Sequence, residues 1–249
     1  TAQDQLQMIA QIREHLLPQC FNAAVKAGDA IMKIYKNRDD YDISLKSDHT
    51  PITIADRVAH NTIKESLGPT RVPVLSEEGR EMLFDERRNW ELFLLVDPLD
   101  GTVEFIKGNN EFTVNIALLA DNECVGSVLY VPYLKKMYVA AKGKGAYLIR
   151  NIAPCEEPKY EGKQIEAMLE RLPLECNRHE GFRMAVSRSH QTPETLERIA
   201  HMRELHPDLD GEMIDGSWIY REGESSYQMY IREYAGVDPE NGDALWYVD

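Results

Sequence analysis

The stretch Leu94-Leu95-Val96-Asp97-Pro98-Leu99-Asp100-Gly101-Thr102 decides how this chain is read. An apolar run ends in two acids, Asp97 and Asp100, followed at once by glycine and threonine. Residues 92–96 have the length and composition of a strand buried on both faces. Asp97 then falls where that strand reaches the surface, and Pro98 fixes the backbone as the chain turns outward. Two acids this close in a partly dehydrated pocket cost free energy unless a cation neutralises them. Together with the backbone carbonyl of Leu99 they form an all-oxygen set that suits a hard divalent ion such as magnesium. Gly101 permits close backbone approach, and Thr102 adds a hydroxyl beside exposed amides, an environment suited to phosphate. An isolated D-P-x-D reads as an Asp-Pro turn capping a helix. The apolar strand before it and the Gly-Thr after it turn the reading toward metal and phosphate.

Composition supports that reading. The 249 residues, 43% of them hydrophobic, are enough to bury one large core or two joined lobes. Forty-two acids against 28 Lys and Arg give a net charge of -14. That charge makes nucleic acid and anionic membranes poor partners for the surface as a whole. It also repels a small anionic substrate unless bound cations reverse the sign locally, a second reason to expect metal in the acidic site. Cys20, Cys124, Cys155 and Cys176 lie far apart and suggest neither a zinc site nor a disulfide framework. With no long apolar run and no signal-peptide pattern, the expected address is cytoplasmic, with no integral membrane segment. Peripheral attachment to the inner face of the membrane is left open, as is the oligomeric state.

Moving outward along the chain, residues 6–35 carry helical spacing of apolar positions, with Pro18 and Gly28 as irregularities, and predict one or two amphipathic helices. Residues 41–49 read as a polar extended segment or loop. Residues 53–67 read as a helix stopped by Gly68-Pro69. Residues 72–75 form a short apolar strand that runs into Ser76-Glu77-Glu78-Gly79. Beyond Thr102, residues 112–119, 124–131 and 137–141 predict an antiparallel meander. Residues 151–180 are polar and suit a junction between lobes. Residues 184–186 predict a short strand. Thr192-Pro193-Glu194 predicts a helix start, with Thr192 as cap and Pro193 in the first turn.

Asp56, Glu77-Glu78 and the Asp97/Asp100 pair each follow an apolar segment, so each acid falls at the edge of a core. Asp56 taken alone reads as a solvated helix residue. Lys46 reads either as facing a phosphate or as a solvated lysine. Residues 97–102 resemble the signature of the magnesium-dependent, lithium-sensitive phosphatase superfamily that includes the inositol monophosphatases. Val74-Leu75-Ser76-Glu77-Glu78 is similar to that superfamily's upstream glutamate motif, and residues 50–56 to its T-x-A-D element. Within it, residues 104–107 (Glu-Phe-Ile-Lys) and 111–117 are most similar to the bacterial 3'(2'),5'-bisphosphate nucleotidases. Inositol monophosphatases usually carry Asn at the position of Glu104. Ser187-Arg188-Ser189-His190 resembles the nucleotidase branch's element on the nucleotide side, with a plain strand-to-helix loop as the alternative. No ligand-type residue lies near His190 in sequence, so it is not read as a zinc ligand. The resemblance runs from about residue 23 to 141 and resumes near 184.

The resemblance implies a fold, a site and a reaction. The fold is the layered αβαβα sugar-phosphatase sandwich, one inositol-monophosphatase-like α/β domain over 1–249. Its lobes would be about 1–150, carrying metal and phosphate, and 151–249, on the nucleotide side. Glu77, Asp97, the Leu99 carbonyl and Asp100 would hold two or more Mg2+, leaving Glu78 as a surface acid. Asp56 and Thr102 would be catalytic, Thr102 relaying a proton from the attacking water to Asp56. Gly101 and Thr102 would receive phosphate oxygens, and Ser187, Arg188, Ser189, His190, Gly216 and Ser217 would bind the rest of the substrate. The implied reaction is hydrolysis of the 3'-phosphate of adenosine 3',5'-bisphosphate to AMP and phosphate, clearing a by-product of sulfate activation. An inositol or sugar monophosphatase on the same scaffold is the alternative, as is a catalytically impaired metal- or nucleotide-binding homologue. The last of these stands because the family's downstream Trp-Asp element, which completes the metal site, is not found here. The tail after Gly216 is shorter than the family pattern, and matching fragments on both sides of each gap favour missing internal segments over a lost ligand. Neither Asp238 nor Asp243 is assigned as that ligand.

Overall fold

The computed structural model describes residues 10, 12–37, 41–47, 51–121, 123–172 and 192–205. The chain divides into two compact units, Thr1–Arg171 and Leu172–Asp249. In the first, a π-helical turn (Ile12–Leu16) leads into helix α1 (Leu17–Tyr35). Pro18 stands in the first turn of α1, where its missing N–H costs nothing. Gly28 marks close packing rather than a break: a Cβ there would lie 2.3 Å from Cε1 of the buried Tyr130. The polar segment contains β1 (Ser44–Leu45), paired antiparallel with β2 (Pro51–Ile52). Helix α2 (Ile54–Leu67) begins at Thr53, whose Oγ1 accepts the Ala55 N–H at 3.1 Å. It ends in a 3-10 turn, Gly68–Thr70.

Among the described residues a seven-stranded mixed sheet runs in the order β3 (Val74–Ser76), β4 (Leu92–Asp100), β5 (Thr113–Ala120), β6 (Glu123–Val131), β7 (Lys136–Ala141), β8 (Gly145–Ile149) and β9 (Glu170–Arg171). Strands β3 and β4 are parallel and the rest antiparallel. The expected meander is present and longer than its apolar pattern, since β8 and β9 extend it. Helices α1 and α2 pack together and against one face of the sheet, where Leu94, Val96, Ile116, Leu118, Val128, Tyr130 and Met137 join Phe21, Ile31 and Ile63 in one core. Burying each such side chain stabilises the fold by about 1.5–3 kcal/mol before chain entropy is set against it.

Strand β4 is not buried on both faces, as its composition suggests: Leu95 is 42% exposed. Leu94 and Val96 face the helices, while the intervening side chain projects from the opposite face. Among the described residues of the first unit there are also three short helices: α3 (Phe84–Arg87), α4 (Thr102–Lys107) and α5 (Gly162–Ala167). In the second unit the described residues form α6 (Pro193–Leu205), with Thr192 Oγ1 accepting the Thr195 N–H at 3.2 Å. Among the described residues no helix is long and apolar enough to cross a membrane.

Candidate active site

The parallel pairing of β3 with β4 builds the site. Ser76 lies in register with Val96, and the Glu77 N–H donates to the Val96 carbonyl at 3.0 Å. Glu77 and Asp97 therefore follow side by side at the carboxyl ends of neighbouring parallel strands, the edge where α/β sheets bind ligands. Past Asp97 the register shifts. Asp97 stands opposite Asn115 and Asp100 opposite Thr113, so β4 carries one more residue than β5 over this span. That extra residue is a β-bulge, and Pro98, which has no N–H for the ladder, lies inside it. The bulge keeps Asp97 and Asp100 close enough for their charges to repel.

Gly101 then reverses the chain with φ +90, and a Cβ at this position would meet the Glu111 carbonyl oxygen at 2.7 Å. Only glycine satisfies both the left-handed backbone and that close approach. Thr102 opens α4, and its Oγ1 donates to Asp56 Oδ1 at 2.8 Å. Asp56 is 1% exposed, so it is not a solvated helix residue. Its other oxygen, Oδ2, accepts the N–H and the hydroxyl of Thr53 at 2.7 and 2.6 Å.

Electrostatics separate the two glutamates. The Glu77 side chain is 52% exposed and that of Glu78 only 8%, so Glu78 is a buried acid rather than a surface one. Lys46 Nζ bridges them, at 2.7 Å to Glu77 and 2.5 Å to Glu78. Burial opposes the charge on Lys46, but its bonds to the two carboxylates outweigh that and hold the ammonium protonated. Lys46 is therefore an ion-pair bridge and not a solvated lysine. Burial pushes the Glu78 carboxyl up, partly offset by Lys46. Asp97 is pushed well above the usual carboxylate range by burial, then by the charges of Asp100 and Glu77, with which its carboxyl also shares a hydrogen bond.

Among the described residues no three His, Cys, Asp or Glu side chains are gathered so that they could hold a metal ion; Glu77 is paired with Lys46 as well as with Asp97. The donor chemistry nevertheless fits a hard cation. Three carboxylates and the Leu99 carbonyl lie at one strand edge, and the crowding that raises Asp97 is relieved by positive charge. Residues 187–190, 216 and 217, expected to bind the substrate's far side, lie outside the described residues. A cavity of about 670 Å3 opens between Leu17, Phe21, Tyr147 and Ile165, away from these carboxylates, and none of the candidate site residues lines it. The contact between His60 and Ser76 is not read from sequence. Nδ1 of His60, one turn beyond Asp56 on α2, lies 2.8 Å from Ser76 Oγ and ties that helix to the strand bearing Glu77. The only signal in sequence is the four-residue spacing of Asp56 and His60.

Comparison with known proteins places the fold in a family. Residues 12–213 match the model of the inositol monophosphatase family, and the chain belongs to that family. It is 40% identical over 191 residues to the 3'(2'),5'-bisphosphate nucleotidase CysQ of Salmonella typhimurium, covering 76% of this chain and 70% of that protein. The CysQ nucleotidase of Escherichia coli K12 is 39% identical over the same length, with the same coverage. Among solved structures, CysQ from Bacteroides thetaiotaomicron, described as a bacterial member of the inositol monophosphatase family, superposes with a TM-score of 0.68. It is 42% identical, over 80% of this chain and 71% of that one. The layered α/β fold expected from sequence is the fold of this family.

Proposed function

We propose that this chain is a metal-dependent phosphatase that hydrolyses the 3'-phosphate of adenosine 3',5'-bisphosphate to AMP and phosphate, a reaction linked to sulfate assimilation. The observation that carries the phosphatase reading is the Thr102–Asp56 hydrogen bond beside crowded Glu77, Asp97 and Asp100. The nucleotide reading rests on about 40% identity to nucleotidases over most of the chain. Magnesium held by Glu77, Asp97, the Leu99 carbonyl and Asp100, in two or more ions, would offset the charge of the phosphate and of the departing oxygen.

The chain's own residues would do the rest. Asp56 holds the Thr102 hydroxyl by its Oδ1, so a water donating to Thr102 Oγ1 has a two-step path for its proton. A threonine alone is a weak base, and the buried carboxylate behind it makes the relay workable. The hydroxide equivalent would add to phosphorus as the bond to the 3'-oxygen breaks, and that oxygen would take a proton from a solvent water to become the product hydroxyl, the proton passed toward Asp56 returning to solvent. The Gly101 and Thr102 amides, at a turn with no room for a side chain, would receive the phosphate oxygens. Ser187, Arg188, Ser189, His190, Gly216 and Ser217 would take the nucleotide.

The test is phosphate release by the purified protein from adenosine 3',5'-bisphosphate and from an inositol monophosphate. Each is assayed with and without magnesium, and with lithium added. The expected result is magnesium-dependent, lithium-inhibited release that is faster from the nucleotide. Faster release from the inositol phosphate would overturn the substrate assignment, and magnesium-independent release would overturn the site.

A further inference from the structure

We infer that Asn115, oriented by Thr113, is a positioning residue that fixes the Asp100 carboxylate for cation binding. The inference rests on the reading of Asp97 and Asp100 as metal ligands given above. Asn115 Nδ2 donates to Asp100 Oδ2 at 3.2 Å, and Thr113 Oγ1 donates to Asn115 Oδ1 at 3.0 Å. The three groups form a relay that neither the acidic motif nor the Thr102–Asp56 pair requires.

The register explains how it forms. Side chains two apart on a strand share a face, so Thr113 and Asn115 point the same way from β5. In a regular ladder, Asn115 would meet only its partner Asp97. The bulge carries Asp100 back over the same face, opposite Thr113, and Asn115 reaches it diagonally. A terminal amide has one donor end and one acceptor end, and turning it over exchanges them. Turned over here, it would set the Asn115 oxygen against a carboxylate, acceptor against acceptor. The Thr113 hydroxyl, on a residue only 4% exposed, donates to Oδ1 and so holds the nitrogen toward Asp100. With Oδ2 held, the Asp100 carboxylate loses freedom about its last torsion and its plane is set before any cation arrives. Hydrogen bonds of this kind to ligating carboxylates typically govern metal affinity by about 10–100-fold.

The experiment is calorimetric titration of the purified full chain with Mg2+ alone, together with kcat measured as a function of Mg2+ concentration. Asn115→Leu should weaken Mg2+ binding by about 10–100-fold, with kcat largely recovered at saturating Mg2+. Thr113→Val leaves every ligand in place and should weaken binding by several-fold, and Thr113→Ser should restore it. Because Thr113 acts through Asn115, the double variant should bind no worse than Asn115→Leu alone. Thermal unfolding without metal verifies that each variant is folded, and Thr113→Val decides the matter if Asn115→Leu is not. Unchanged Mg2+ affinity in Thr113→Val and Asn115→Leu, or losses that add in the double variant, would overturn the inference. Absence of Mg2+ binding by the unmodified chain would overturn the parent reading of the acids, a result distinguishable from the others.

Discussion

Thr102 Oγ1 and Asp56 Oδ1 are joined at 2.8 Å across 46 positions of sequence, while Asp56 Oδ2 caps its own helix through Thr53. In the proposed relay one carboxylate thus divides its oxygens between capping its helix and holding the Thr102 hydroxyl. In Asp56→Asn the amide oxygen keeps both Thr53 donors, and the amide nitrogen turns to donate to Thr102. The cap survives, the bond to Thr102 reverses, and the hydroxyl has no base behind it. We expect kcat to fall at least about 100-fold, the scale of a lost general base, with Tm within a few degrees of the parent. Phosphate-release kinetics and thermal unfolding on the same preparation check this, and retained kcat would remove the relay.

Asp97 makes a contrasting prediction because its charge is a liability without a cation. Burial and the charges of Asp100 and Glu77 all disfavour its ionised form. Asp97→Asn removes that repulsion and is expected to leave the metal-free protein as stable as the parent or more so. Stabilisation by added magnesium should be lost, because ligand binding to the native state raises stability only where the site exists. Activity should fall by several orders of magnitude. Thermal unfolding with and without magnesium, beside the assay, separates these outcomes.

The same carboxylate sets a pH dependence. Its pKa is raised in the folded protein, so the native state holds a proton that the unfolded chain has released. More protons bound in the native state means that stability of the metal-free protein falls as pH rises from the ordinary carboxylate range through the raised value. Magnesium competes with that proton, so its affinity should rise with pH across the same window. Unfolding midpoints without metal and calorimetric affinities with it, both followed from mildly acidic to neutral pH, should move in opposite directions. Parallel movement would mean that Asp97 does not face the cation.

The acidic motif was legible because it combines a local pattern with a change of polarity: an apolar run, then acids, then Gly-Thr. The cap at Thr192 and the meander were legible in type for the same reason. Each is written in a few neighbouring residues. What escaped reading depends on register and tertiary contact. Nothing in sequence places Asn115 against Asp100, since a bulge decides it. Lys46 was ambiguous until the fold brought it between Glu77 and Glu78. The exposure of Leu95 shows the limit of composition, which counts apolar residues in a strand but does not say which face is covered. Strands β8 and β9 and helices α3 and α5 are short, and such elements take their structure from neighbours more than from their own periodicity.

Two glycines separate packing from site geometry. At Gly28 a Cβ would lie 2.3 Å from Tyr130 Cε1, but the backbone is helical, so Gly28→Ala is an overpacking problem on the helix-facing side of the sheet. It should lower stability by about 1–3 kcal/mol and leave kcat per folded molecule unchanged. At Gly101 the backbone itself is left-handed, and the new Cβ would strike the Glu111 carbonyl at 2.7 Å, a backbone atom that no rotamer change can move. Gly101→Ala must therefore shift the turn linking Asp100 to Thr102. It should cost about 1–3 kcal/mol in strain and also reduce kcat, because Asp100, proposed to hold the cation, and Thr102, proposed to relay the proton, flank the displaced residue. Tm and kcat measured on both variants give the discriminating result. If Gly101→Ala loses stability but keeps kcat, the turn does not set the distance between Asp100 and Thr102 that hydrolysis needs.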